Sequence, residues 1–208
     1  MSGSGLLARA LVEGGEAEAA DPADEIAERI LDAALTEGSA RGIEGITMDA
    51  VASRARVGRM TVYRRFGDRD GLVSALTGRE ARRALAEIGT AVDTGLDVPT
   101  QVADGFVAAL RVARTHPLLQ RMALYEPETL LATFNDPDDP LFSMLRGFVS
   151  AQIQAGAGAE LRADPDEAAE VLVRIGLSYL LIPDGLVDIA EEADARRLAR
   201  TVIAPIVA

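Results

Sequence analysis

An all-α fold is predicted by three features of the sequence. Apolar residues recur at steps of three and four, no stretch alternates with period two over strand length, and proline or glycine marks the joints between segments. About nine helices are expected, in two parts. Residues 21–67 should form a three-helix helix-turn-helix unit, and residues 68–208 a larger helical body. Residues 1–20, rich in Gly, Ala, Ser and Glu, read as a mobile acidic tail.

Each element has its own warrant. Asp21 caps a first helix with Pro22 at its first position, and Ile26, Ile30, Ala33 and Ala34 give its inner face. Gly38 and Gly42 loosen its end. Thr47 caps the second helix, Asp49 suits its first turn, and Val51, Ala52 and Ala55 face inward. After a break at Arg56, Val57 and Gly58, a third helix covers Arg59–Phe66. Asp68 then caps a fourth, through Leu72, Leu76, Leu85, Ile88 and Val92 to near Gly95. Further helices are expected at about Pro99–Thr115, Pro117–Tyr125, Glu128–Phe134, Pro140–Ala155, Pro165–Ile182 and Ile189–Ile203.

Composition narrows the function. With 49% apolar residues in 208, a sizeable core is available. The densest apolar stretch, Ile175–Ile182, is too short to span a bilayer, so no membrane partner is expected. Glu13, Glu16 and Glu18 do not suit a secretion signal, and the cytoplasm is the expected compartment. The absence of cysteine excludes disulfides, thiol catalysis and cysteine-ligated zinc. One histidine, His116, leaves little for a transition metal. With no phosphate loop either, an enzyme or carrier finds little support, and no catalytic residue, cofactor or metal ligand is assigned.

The net charge of −12 argues at first against a polyanionic partner and suits a module that binds a basic protein. Its distribution argues otherwise. All 21 basic residues are arginine, and Arg54, Arg56, Arg59, Arg64, Arg65 and Arg69 crowd one stretch against a single acid, Asp68. On the third helix Val62 and Phe66 share a face and can anchor it inward, which turns Met60, Thr61, Arg64 and Arg65 outward. Arg59 and Arg64 can each bond two acceptors of guanine, Met60 can meet a thymine methyl, and Tyr63 can donate to phosphate. Taken singly, an arginine run is more often a solvated face, Tyr63 a half-buried core residue and Thr47 a simple cap. Their joint spacing is what points to DNA.

That spacing resembles the TetR family of regulators. Thr47, Val57, the run Thr61, Val62 and Tyr63, then Phe66, and finally Arg69, Asp70, Gly71 and Leu72 fall where the family's hallmark residues do. The resemblance covers roughly residues 24–76. It implies that Thr47 contacts phosphate, that Arg59, Met60 and Thr61 face the groove, and that Tyr63 and Arg65 meet the backbone or nearby bases. It also implies that Arg69 pins a phosphate at the start of helix 4. Two positions depart from the pattern: Arg56 stands where glycine is usual, and Gly58 where a serine-like cap is usual. Arg56 must then accept the turn's backbone geometry, and it can add a phosphate contact.

The resemblance further implies a homodimer on a palindromic double-stranded operator, acting as a repressor released by a small apolar effector. Leu172, Ile175, Leu198, Val202 and Ile206 are the candidate dimer residues, against the simpler reading that the last helices close the monomer core. Phe106, Leu110, Met122, Tyr125, Phe148 and Tyr179 are candidate effector contacts, although each alone is more often core packing. The His116-Pro117 joint could transmit filling of the pocket to helix 4. An activator or a ligand-insensitive regulator fits the same sequence.

Overall fold

The computed structural model describes residues 22–93, 95–156 and 161–207; the expected acidic tail and the Asp21 cap lie outside them. The described residues hold ten α-helices and no strand. They are α1 (Pro22–Arg41), α2 (Met48–Ala55), α3 (Arg59–Phe66), α4 (Arg69–Ala91) and α5 (Val98–Thr115). Then follow α6 (Pro117–Tyr125), α7 (Pro127–Asn135), α8 (Pro140–Gly156), α9 (Pro165–Leu181) and α10 (Glu192–Leu198).

The chain sets these boundaries with one repeated device: a side-chain acceptor followed by proline. Asp97 accepts from the Thr100 amide ahead of α5, His116 from Leu119 ahead of α6, and Asp164 from Asp166 and Glu167 ahead of α9. Proline at the first or second helical position needs no N–H there and already has the helical φ. The last helix starts later than its apolar pattern suggested. Asp188 accepts from the Ala190 amide and folds residues 188–191 into a turn, so α10 opens at Glu192. Beyond Leu198 the helix widens into a π segment (Ala199–Ile203) and ends in a 3-10 turn (Ala204–Ile206). Pro205 cannot donate to the carbonyl four residues back, which accounts for the loss of α geometry there.

The largest core cluster joins α1, α2 and α3 to their neighbours. Ile30, Ala34, Ile46, Val51 and Val62 pack with Leu72 and Leu76 of α4 and with Leu118, Met122 and Leu130 of α6 and α7. Fully burying an aliphatic side chain of this kind contributes about 1.5–3 kcal/mol. The cluster runs across residue 68 without interruption, so α4 belongs to the core of both parts. A second cluster packs α5 against α10 and its π extension, through Ala103, Phe106, Val107, Ala195, Ala199 and Ile203. An ion pair of Arg196 with Asp104 reinforces it, and Asp104 and Glu192 together hold the Arg196 guanidinium above its ordinary pKa.

Candidate nucleic-acid interface and effector cavity

The turn between α2 and α3 is built around Arg56. Its backbone is left-handed (φ 55°, ψ 45°), the only described non-glycine residue with positive φ. The Arg56 amide donates to Ser53 and the Val57 amide to Ala52, so α2 closes in a Schellman arrangement with Val57 folded back on the core. Gly58 then opens α3 in extended conformation without a side-chain cap. Val62 is fully buried and Phe66 packs beside it, which leaves the opposite face of α3 outward. Met60 is 76% exposed on that face, with Arg64 exposed and Thr61 partly so.

The arginines divide into distinct roles. Arg54 donates to the buried Glu37 at 2.7 Å and ties α2 to α1. Arg59 is held by Asp49 of α2 at 3.0 Å and donates to the Tyr63 hydroxyl at 3.1 Å. Both contacts raise the Arg59 pKa, Tyr63 contributing the larger part. Arg64 and Arg65 form no ion pair with described residues, and the Arg65 Nε is buried without a protein partner. Arg69 turns inward: its Nε donates to the Ile46 carbonyl at 3.0 Å and an Nη to the Ile43 carbonyl at 2.7 Å. Thr47, next in the chain, uses its hydroxyl to cap α2 on the Ala50 amide.

Behind this face lies a cavity of about 320 Å³ among α4, α5, α6, α7, α8 and α9. Its wall is mostly apolar, and Phe106, Leu110, Met122 and Phe148 line it as the sequence suggested. The other two candidates stand elsewhere. Tyr125 is 64% exposed with the Arg121 guanidinium over its ring, and Tyr179 packs edge-on against the far side of Phe106 without lining the space. Leu172, a candidate interface residue, also lines the cavity. Among the described residues no group of acids and histidine could hold a metal ion, and no helix is long and apolar enough to cross a membrane.

A family model for bacterial regulatory proteins of the tetR family matches residues 30–76, the segment that carries this turn. Uncharacterized HTH-type transcriptional regulators from two strains of Mycobacterium tuberculosis are 30% identical over 188 residues, spanning 87% of this chain and 85% of theirs. The chain belongs to the TetR family. It is a helix-turn-helix transcriptional regulator, and its relatives and fold are those of regulators rather than enzymes. Solved TetR structures share the fold. The TetR-family repressor AlkX from Dietzia sp. superposes with a TM-score of 0.61 at 24% identity, covering 86% of this chain and 93% of its own. A TetR-family regulator from Rhodococcus sp. gives 0.66 at 22%, covering 89% and 100%.

Three residues of this TetR-family regulator escaped sequence reasoning. Asp49 was visible only as a first-turn acid, yet it faces Arg59 across the turn. Glu126, at the joint of α6 and α7, accepts from the Ile43 amide at 3.1 Å and so grips the same α1–α2 loop as Arg69. Glu80 is buried on α4, where it meets Arg79 at 2.7 Å and His116 at 3.1 Å. Apart from the adjacent Arg79 and Glu80, none of these pairings is local in sequence, and no periodic signal could have shown them.

Proposed function

We propose that this TetR-family regulator is a dimeric repressor that reads a palindromic operator and is released by a small, mostly apolar effector. The observation that carries the reading is the outward face of α3. Met60, Thr61 and Arg64 stand there opposite the Val62 and Phe66 anchor, with Arg59 at the exposed helix start and Tyr63 at the edge of that face. Arg59 and Arg64 read base edges, Met60 and Thr61 contact the groove, and Thr47, Arg56, Tyr63 and Arg65 meet phosphates. Arg69 acts differently from a phosphate clamp, by fixing the loop that leads into Thr47.

Two further observations support the rest. Val171, Ile182, Leu186 and Val202 are exposed apolar side chains on and after the last long helices, the kind of surface that a second copy covers. Ile175, Leu198 and Ile206 are half-buried beside them and complete that interface. The apolar cavity, bounded by α4, supplies the effector site, and the fold neighbour AlkX is itself a repressor.

The test is binding of the purified protein to its own upstream intergenic DNA, against random duplex and across a salt series. Specific binding that weakens steeply with salt is expected, because phosphate contacts release counterions. No preference over random DNA, and none recovered by selection from a random duplex library, would overturn the reading.

A further inference from the structure

The wall of the cavity is apolar except at a few points, and two of these lie together on α4. Thr77 and Glu80 are one helical turn apart and both face the space, with His116 of the α5–α6 joint beside them. Their hydrogen bonds leave only acceptors for a ligand. The Thr77 hydroxyl donates back to the Val73 carbonyl at 3.0 Å, so its oxygen offers lone pairs alone. His116 accepts the Leu119 amide on Nδ1, which places its proton on Nε2, aimed at Glu80 Oε2 3.1 Å away. Glu80, 9% exposed at its side chain, accepts that proton and keeps further lone pairs.

The surrounding charge points the same way. Arg79 and Arg83 reach away from the cavity toward Glu28 and Asp32 of α1. Together with Glu80 these make three carboxylates against two guanidiniums, an excess of negative charge among them. Beside Glu80 and Thr77 an anionic head would be repelled and would find no free donor on either; the amide side chains of the wall, Gln101 and Gln152, lie on α5 and α8.

We infer that the effector is an apolar molecule ending in a hydrogen-bond donor, a primary alcohol or amine, whose polar end sits on Glu80 and Thr77. This rests on the reading of the cavity as the effector site. The same end touches the contact through which α4 meets α1: Glu80 Oε1 is bound to Arg79, whose Nη1 reaches Asp32 at 2.8 Å and Glu28 at 3.0 Å. A donor that competes for Glu80 loosens its hold on Arg79 and His116 together.

Three probes of one chain length decide the matter: octan-1-amine, octan-1-ol and octanoate, titrated calorimetrically into the wild-type protein. The amine and the alcohol should each bind about tenfold or more tightly than octanoate, the scale of a hydrogen bond to a buried charge. Glu80→Gln should erase the advantage of the amine and bring octanoate level with it. Thr77→Val, which keeps the Arg79 contact intact, should weaken the alcohol and amine severalfold, and it decides the case if Glu80→Gln does not fold. Octanoate binding as well as the others to the wild type overturns the inference but leaves the cavity as an apolar effector site. Failure of all three to bind overturns both.

Discussion

Asp49 on α2 holds the guanidinium of Arg59 on α3 at 3.0 Å, and the Tyr63 hydroxyl holds it from the other side at 3.1 Å. The first residue of the recognition helix is therefore ordered before DNA arrives. If Arg59 reads a base edge as proposed, its fork must first exchange the carboxylate it already faces. A phosphate, repelled by Asp49, makes a poor substitute, so the pair favours a guanine that offers two acceptors at once.

Arg59→Ala should lower operator affinity by roughly tenfold or more, as loss of a bidentate base contact does, while the fold is kept. Asp49→Asn should act in the opposite sense on random DNA. With Arg59 released, affinity for random duplex rises and the ratio of operator to random binding falls. Competition binding of both variants against the two duplexes measures this directly. An unchanged ratio in Asp49→Asn would show that the pair has no part in selectivity.

Arg69 gives a second test, because two roles for it predict different salt behaviour. Its Nε and one Nη are bound to the carbonyls of Ile46 and Ile43, and the other Nη to the exposed Asp70 carboxylate. Arg69→Ala should destabilise the protein by roughly 1–3 kcal/mol in denaturant, the cost of leaving partly buried acceptors unpaired. Operator affinity should fall with the slope of log affinity against log salt unchanged. A phosphate contact would instead reduce that slope by about one.

The α1–α2 loop is gripped from the body as well. Gly42 sits at φ +83°, and a Cβ there would overlap the Glu126 carboxylate that accepts from Ile43. Glu126→Ala removes one hydrogen bond and should cost about 1 kcal/mol. Gly42→Ala adds a left-handed alanine, itself roughly 1–2 kcal/mol, and also expels Glu126. Gly42→Ala should therefore be the more damaging of the two in chemical denaturation. The reverse order would mean that the loop rearranges at little cost.

Arg56 carries the converse case. It occupies a left-handed position that glycine fills without strain, so Arg56→Gly should stabilise the protein by up to about 1 kcal/mol in the same assay. Any loss of stability would assign the Arg56 side chain a packing role that its exposure gives no sign of.

These residues show where the sequence was legible. Val62, Phe66, Thr47 and the strained Arg56 are local matters of period, cap and turn, and each stands where pattern predicted. The helix starts at Pro117, Pro140 and Pro165 were equally plain, since proline fixes them within one residue. The pairings of Arg69 with Ile43, Glu126 with Ile43 and Glu80 with His116 were not, because they join residues 26 to 83 positions apart. Tyr125 failed as a cavity residue for a related reason. Its place at the end of α6, one step beyond the last inward-facing turn, sends its ring outward onto Arg121.

The last helices invite a test of assembly. Val202, 60% exposed in the π segment, is an apolar side chain that the proposed second copy would cover. Val171 on α9 and Ile182 just after it add further exposed apolar surface. Val202→Glu should leave helical content unchanged and halve the mass measured by sedimentation, since an unpaired carboxylate buried against a second copy is costly. Operator affinity should fall with it, because one reader then spans one half-site. A dimer that survives the substitution places its interface on another face, and Leu186 with Ile182 becomes the next surface to alter.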